Sequence, residues 1–343
     1  MKARLRTVRL VLAEPLRISR STMAARDAVW LTVEHDGVRG HGEAVTSVYY
    51  GLDTATLQRL LAAVDLGRFA DPESALEALR EDEPLTPPAV TAAVEAALLD
   101  LVGKRANAPV HRLLGAPAPP VAATARTLGI TSLTHAAAEA RRLAASGFQV
   151  LKVKAGSPDP EDDVERVRVV RDAAPGARLL LDPNGAWTLR QAEKLLPRYA
   201  ELGVEAVEQP LAPGDPETLA ALAERSPLPV IADEDAVGLE DARRLAGRVH
   251  GVNVKIAKCG GVHAALRIAE AVAGSGTALM LGCLTASSLG LAPAVHLADR
   301  ARWTDLDGHL LLADDPWSGI GGADGFVRAS DRPGLGVTHA DLA

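Results

Sequence analysis

The sequence predicts an α/β fold, a TIM-like parallel β/α barrel preceded by a smaller α+β unit. Three observations carry that expectation: eight short β-rich apolar runs after residue 120, near-constant spacing between their ends, and Ala-rich helical segments in the seven intervals. The runs are VAATART (121–127), VLKVK (150–154), RLLLD (178–182), VEAVE (204–208), LPVIAD (228–233), GVNVK (251–255), ALMLG (278–282) and RWTDLD (302–307). Successive ends at 154, 182, 208, 233, 255 and 282 are 28, 26, 25, 22 and 27 residues apart. A strand, a crossover helix and two short loops fit that length. In such a barrel the functional groups gather at the C-terminal ends of the strands.

Residues 1 to about 105 do not repeat. ARLRTVRLVL alternates as a strand does, and AVWLTVEHDGVRGHGEA contains Asp36-Gly37, a hairpin turn signal. From Thr91 to Val102, Ala, Leu and Val recur at helical spacing. The Pro- and Ala-rich GAPAPPVAA at 115–123 marks a boundary, so residues 1–115 are read as an α+β capping domain and 116–317 as the barrel. The intervals between runs, such as SLTHAAAEARRLAASG and PEDDVERVRVVRDAA, look helical. No helical pattern follows the eighth run. The Gly-rich SGIGGADG and the tail beyond it are expected to return to the small domain, with residues 318–343 completing the cap.

Composition narrows the function. The 343 residues are 48% hydrophobic and 24% charged, as in a globular chain. Aromatic residues make up only 3%, which disfavours a base-stacking platform, and the net charge of -7 gives no reason to expect a polyanionic partner. No run approaches the ~18 apolar residues of a membrane span, and charges interrupt the apolar stretch at the N-terminus. The two cysteines, Cys259 and Cys283, are too few for a disulfide framework. A cytoplasmic protein with reduced thiols, binding neither nucleic acid nor membrane, is expected.

Polar residues close the runs where a barrel delivers side chains into its mouth. Asp182, Glu208 and Asp233 end three consecutive strands. Unpaired, they would repel and raise one another's pKa, whereas a divalent cation would hold all three ionised. Hard oxygen ligands with open positions suit Mg²⁺. The competing reading is a structural network in which nearby lysines neutralise the acids. Asn184 and Glu234 are placed to orient the ligands. Lys152 and Lys154, two apart on one strand, share a face. Their repulsion, with the metal, is expected to depress one pKa toward that of a general base. Lys255 ends the sixth strand, diametrically opposite the second, with Lys258 just beyond. A carbon acid beside a carboxylate needs its enediolate stabilised by a cation, and a base on each face permits inversion. Asp305 and Asp307 close the eighth strand and suit a substrate ammonium group, although Asp-Gly is also an ordinary turn dipeptide.

With LKVKAG, LDPNGAW, VEQP, IADED, NVKIAKCGG and DLDG in hand, the chain resembles the enolase superfamily, in its muconate-lactonizing subgroup, and most of all the dipeptide epimerases. The resemblance spans nearly the whole chain. It implies a capping domain on a modified (β/α)7β barrel that has lost its last helix, with Lys154 and Lys255 as acid/base catalysts. Asp182, Glu208 and Asp233 become Mg²⁺ ligands, and Lys152 and Lys258 supporting charges. Asp305 and Asp307 would hold the free ammonium of a dipeptide whose C-terminal α-carbon is inverted. The expected partners are that small molecule and further copies of the chain. Departures from the family pattern fall at Ala286, where relatives commonly carry Glu, at Asp235, where Ser or Thr is usual, and at Arg20 and Ser21, where Ala-Glu epimerases place an arginine for the substrate's side-chain carboxylate. The same catalysts could serve N-acylamino acid racemisation, o-succinylbenzoate synthesis or cycloisomerisation, which would leave Asp305 and Asp307 without an ammonium partner. A non-catalytic ligand-binding barrel is the reading from another class.

Overall fold

The computed structural model of the chain describes residues 1–81 and 87–340. It opens with an antiparallel meander of strands Lys2–Ile18, Ser21–His35 and Val38–Val45. The second turn is the expected hairpin: Asp36 and Gly37 both take positive φ, 49° and 77°, as a two-residue primed turn requires. Helices Thr54–Ala62, Pro72–Glu81 and Pro88–Arg105 follow. The last is longer at both ends than the spacing indicated, since Pro88 occupies its first turn, where a missing N–H costs nothing. It is buried along nearly its whole length because it lies between the meander and the barrel helices Ile256–Cys259 and Val262–Val272. Such a helix carries apolar residues on every face, with Glu95 and Asp100 as buried exceptions.

Eight parallel strands form the barrel in sequence order: Ala125–Leu128, Val150–Lys154, Arg178–Asp182, Val204–Glu208, Val230–Ala232, Gly251–Lys255, Ala278–Gly282 and Trp303–Asp305. Helices fill the seven intervals. Among the described residues only a 3₁₀ turn, Gly308–Leu311, follows the eighth strand directly. The ring closes through side chains rather than a ladder. Thr124 Oγ1 accepts a hydrogen bond from Leu306 N at 2.8 Å, and Asp307 Oδ2 accepts one from Thr127 N at 2.7 Å.

Three runs differ from their expected limits. The first is divided at Thr124: Val121–Ala123 pairs antiparallel with Phe326–Arg328 of the tail, and only Ala125–Leu128 joins the barrel. Thr124 N donates to Gly325 O at 2.9 Å while its hydroxyl serves the eighth strand, so the chain changes partners there. The fifth strand stops at Ala232 and the eighth at Asp305, leaving Asp233 and Asp307 just beyond. The tail serves both parts of the molecule. Besides pairing beneath the barrel, it sends Trp317 and His339 against Trp30 of the meander, with ring centroids 5.6 and 5.2 Å away. Residues 341–343 of the expected tail lie outside the described residues. No described helix is long and apolar enough to cross a membrane.

Inside the barrel, Ala125, Val150, Leu180, Ala206, Ile231, Met280 and Trp303 form a separate apolar cluster. This floor sits two residues before the polar strand ends, so strand alternation points the next inward side chains into the mouth. The meander and its helices dock over the barrel through buried carboxylates that cap barrel helices. Glu43 accepts hydrogen bonds from Ser287 N (2.9 Å), Ser287 Oγ (2.5 Å) and Trp30 Nε1 (2.7 Å). Glu95 accepts from Val262 N and from His263 N.

His296, at the end of helix Ser288–Val295, is fully engaged: Nδ1 accepts from His111 N at 3.1 Å and Nε2 meets Leu335 O at 3.2 Å. That arrangement needs the neutral ring, and burial pushes the pKa down from 6.5 to about 4. The unfolded chain therefore binds the proton first. The stabilisation is complete above pH 6.5 and is lost as pH falls toward 4, on the order of 3 kcal/mol for this group. Urea unfolding between pH 7 and 4 should show stability falling with acidification, and His296→Asn should be weaker at pH 7 with a shallower dependence.

Candidate active site

The inward positions above the floor are polar on every strand but the seventh, where Gly282 stands. Every residue of Val150–Lys154 is buried, so the two lysines enter a space that must supply their counter-charges. Lys152 Nζ lies 3.0 Å from Asp182 Oδ2, 2.6 Å from Glu208 Oε2 and 2.7 Å from Asp305 Oδ2. Lys154 Nζ is 2.5 Å from Asp182 Oδ2. Across the ring, Lys255 Nζ is 2.6 Å from Asp233 Oδ2. Lys258 Nζ donates to Asp233 Oδ1 (2.7 Å), Asp233 O (2.7 Å) and Asn253 O (2.8 Å). Asn184, held at φ 49°, donates from N and Nδ2 to the two oxygens of Asp182 at 2.9 and 3.3 Å.

The charges follow from this pairing. Burial would raise Asp182 and Asp233, but Lys152 and Lys154 hold the first, and Lys255 and Lys258 the second, below the usual carboxylate range. Glu208 is less compensated: burial, with the charge of Asp182, lifts it to about 7. Burial would lower Lys152 and Lys255, yet the carboxylates around them prevail and raise both. The expected depression of a lysine pKa by Lys152–Lys154 repulsion is thus not what Lys152 shows, because each ammonium has carboxylates of its own.

Among the described residues no three acid, histidine or cysteine side chains converge as a ready metal cage; ammonium groups lie between the carboxylates instead. The donor set itself is one a hard cation takes, oxygens alone. Glu208 Oε2, Asn184 Oδ1, Asp305 Oδ1 and both oxygens of Glu234 are buried without a hydrogen-bond partner. Lys152 near Glu208 Oε2 and Arg20 NH2 at 2.8 Å from Glu234 Oε1 are ion pairs outside hydrogen-bond geometry.

Asp305 and Asp307 take different partners. Asp305 faces Lys152, whereas Asp307, beyond the strand, accepts from Arg126 NH1 (3.2 Å) and Thr127 N. Burial raises the pKa of Asp305. Arg20 is also engaged: besides Glu234 it donates to Asn184 O at 3.1 Å and stacks on Tyr49 at 4.7 Å. The hairpin tip is thereby tied to the barrel mouth. Asp235 accepts from Gln209 Nε2 and Gly214 N, both at 2.7 Å, so it joins neighbouring loops. Ala286 is buried. Both cysteines are free and partly buried.

Sequence reasoning missed Arg126, Gln209 and Asn253. Gln209 Oε1 accepts from Asp233 N (2.9 Å) and Asp235 N (3.2 Å). Asn253 Nδ2 donates to Glu208 Oε1 at 2.8 Å. The signal for Asn253 was available, two residues before Lys255 on the same strand face. It also explains Gly282 on the adjacent strand, where a Cβ would lie 2.5 Å from Asn253 Oδ1.

A capped β/α barrel with acids on three consecutive strands and lysines on the second and sixth defines a class, the barrel enzymes with a polar mouth beneath a separate lid. Residues 1–115 match the N-terminal domain of the mandelate racemase / muconate lactonizing enzymes, and 135–342 match the enolase C-terminal domain-like family. The chain belongs to the mandelate racemase / muconate lactonizing enzyme family of the enolase superfamily. It is 32% identical to an L-Ala-D/L-Glu epimerase of Bacteroides thetaiotaomicron over 90% of this chain and 80% of that one. Its fold superposes on a dipeptide epimerase from Enterococcus faecalis complexed with Mg and L-Leu-L-Tyr (TM-score 0.89, 30% identity, 98% and 99% covered). A dipeptide epimerase from Methylococcus capsulatus complexed with Mg and L-Arg-D-Lys is as similar (TM-score 0.88, 32% identity, 98% and 99% covered).

Gly282→Ala should destabilise the protein by about 1–3 kcal/mol through overpacking against Asn253. The double variant Gly282→Ala/Asn253→Ala should recover part of that loss, as thermal unfolding of the four-member cycle would reveal.

Proposed function

We propose that the protein is a Mg²⁺-dependent dipeptide epimerase that inverts the α-carbon of the C-terminal residue by a two-base 1,1-proton transfer. The observation that carries the reading is the placement of Lys154 and Lys255 at the ends of opposed strands, with Asp182, Glu208 and Asp233 at or just past the ends of the three strands between them. Asp182, Glu208 and Asp233 are the metal ligands in this reading, with Asn184 and Glu234 orienting them and Lys152 and Lys258 supporting charges. Asn184 Oδ1, Asp305 Oδ1 and Glu234 Oε2, buried with neither a hydrogen bond nor an ion pair, favour a ligand site over a self-sufficient salt-bridge network, since a purely structural network leaves few such atoms unpaired.

Mg²⁺ at these carboxylates would stabilise the negative charge that develops on the substrate's carboxylate as the α-proton leaves. One lysine, neutral, accepts that proton on its face of the carbon. The other, as an ammonium, donates from the opposite face, and inversion results. Exchange of the two Nζ groups with solvent resets the pair for the next turnover. Asp305, with Oδ1 unpartnered, receives the dipeptide's ammonium group, and Asp307 stands beside it, steadied by Arg126. An N-acylated substrate would bring no cation to that place. Arg20, already paired with Glu234, serves as a tie for the hairpin. We also assign residues 1–115 with tail 318–343 as the cap and 116–317 as the barrel, supported by the ring of His339 on Trp30. The cytoplasm, where both thiols stay reduced, suits the chain.

Incubation with Mg²⁺ and L,L-dipeptides in D₂O should give α-deuterium incorporation by mass spectrometry, abolished by a chelator. Turnover of an N-succinylamino acid with no dipeptide exchange would refute the proposal. Lys154→Ala should lose about 10²-fold or more of exchange from one epimer, and Lys255→Ala from the other; loss from the same epimer in both would rule out facing bases. Asp305→Asn should raise KM for dipeptides without a matching effect on their N-acetyl forms.

A further inference from the structure

The three carboxylates of the mouth come from separate strands, and the residue after the middle one touches the segments that carry the other two. Gln209 directly follows Glu208, is fully buried and takes φ 35°. Its N–H still belongs to the barrel ladder and donates to Ile231 O at 2.8 Å. Its carbonyl has left the ladder: Gly185 N, in the loop just past Asp182, donates to Gln209 O at 2.7 Å. A parallel ladder continued by one more bond would have given that carbonyl to Asp233 N. The side chain takes its place, since Gln209 Oε1 accepts from Asp233 N at 2.9 Å and from Asp235 N at 3.2 Å. One residue thus bears on all three acids. It adjoins Glu208 in the chain, holds the backbone of Asp233, and steadies Gly185 beside Asn184, which donates to both oxygens of Asp182.

The other end of the amide fixes its orientation. Gln209 Nε2 donates to Asp235 Oδ2 at 2.7 Å and to Leu211 O at 3.0 Å, while Asp235 Oδ1 is taken by Gly214 N. Two N–H groups on one side need an acceptor, and a carboxylate and a carbonyl on the other need donors. Turned over, the amide would leave all four buried groups unsatisfied. Lys255 and Lys258 also hold Asp233, but from the sixth strand; the link back to the strand of Glu208 runs through Gln209. Resting on the metal site of the epimerase reading, we propose that Gln209 is a positioning residue that sets the spacing of Asp182, Glu208 and Asp233 for a divalent cation, with Asp235 holding its amide in the working orientation. Mg²⁺ demands near-ideal octahedral geometry, so a shift of Asp233, which lies past the end of its ladder, is felt as lost affinity.

Titration calorimetry with Mg²⁺ on the intact chain tests this without turnover. Gln209→Met keeps the length of the side chain, removes both ends of its hydrogen bonding, and should weaken Mg²⁺ binding by about tenfold to a hundredfold. Gln209→Glu should weaken it too, because the new oxygen faces Asp235 and Leu211 O, although its added negative charge alone would tighten a cation. Gln209→Glu/Asp235→Asn has the wild-type charge, again sets a donor against an acceptor, and should recover most of the loss seen in Gln209→Glu. His296→Asn, whose contacts are with His111 and Leu335, should lose stability and keep its Mg²⁺ affinity. Affinity within about twofold of wild type in Gln209→Met, an equal weakening in His296→Asn, or a double variant no tighter than Gln209→Glu would overturn the assignment. Where Gln209→Met does not fold, the comparison of Gln209→Glu with the double variant decides it. A wild-type protein that binds no Mg²⁺, or whose binding survives Asp182→Asn undiminished, would instead overturn the metal reading on which the assignment rests.

Discussion

Everything at the barrel mouth depends on strand alternation above a sealed apolar floor. Val150, Leu180, Ala206, Ile231, Met280 and Trp303 fill the ring. Two residues on, the same faces carry Lys152, Asp182, Glu208, Asp233, Gly282 and Asp305. Water is excluded from below, so charges in this layer must be neutralised by one another or by what enters from above. The ion pairs satisfy that requirement: Asp182 lies between two lysines and Asp233 between two others, while Lys152 spans three carboxylates. Removing Lys152 would leave Glu208 and Asp305 without the ammonium each pairs with. The same tightness makes the layer responsive, because a cation or carboxylate arriving at the mouth must be accommodated by shifts in these pairings.

The second constraint is that the lid and barrel share hydrogen bonds a separate barrel would have to find elsewhere. Helix N-termini leave backbone donors unpaired. Two of the barrel's helices, starting near Val262 and Ser288, have theirs met by Glu95 and Glu43 from the N-terminal part. Burial raises the pKa of Glu43 while its bonds to Ser287 and Trp30 work against that shift. Arg20 adds a third tie at the mouth itself. These contacts hold the N-terminal part against the barrel helices and, through Arg20, against the mouth.

Much of this was legible in the chain because barrel strands are local. A five-residue run such as VLKVK or GVNVK states its own alternation, and the run-to-run spacing places its last residue at the mouth; the structure puts Lys154, Asp182, Glu208 and Lys255 at those strand ends, and Asp233 one residue past its strand. What could not be read were contacts between distant segments. Arg126 meets Asp307 across 181 residues, and Arg20 reaches the carbonyl of Asn184 across 164, neither with any periodicity to announce it. The break at Thr124 is of the same kind. VAATART reads as one strand, yet its first three residues are claimed by Phe326–Arg328 and the rest by Val150–Lys154. For Lys152 the expected depression is replaced by a rise for a related reason, since proximity along one strand ignored the acids contributed by three others.

Asp305 and Asp307 illustrate how far spacing goes in deciding a role. As neighbours two apart they seemed equivalent, but the strand ends at Asp305 and the backbone turns into Gly308–Leu311. Asp307 becomes the fastening between the eighth and first strands, where the barrel lacks a ladder: it takes the N–H of Thr127 and the guanidinium of Arg126, which also donates to Leu310 O at 3.0 Å. Asp305 keeps one oxygen on Lys152 and the other free. Their loss should therefore separate in kind. Without Asp307 the ring is unfastened beside the mouth, whereas without Asp305 the ring stays closed and Lys152 loses one of its three counter-charges. An acidic pair that looks like a single element divides into one residue that fastens the barrel wall and one that pairs with Lys152 inside it.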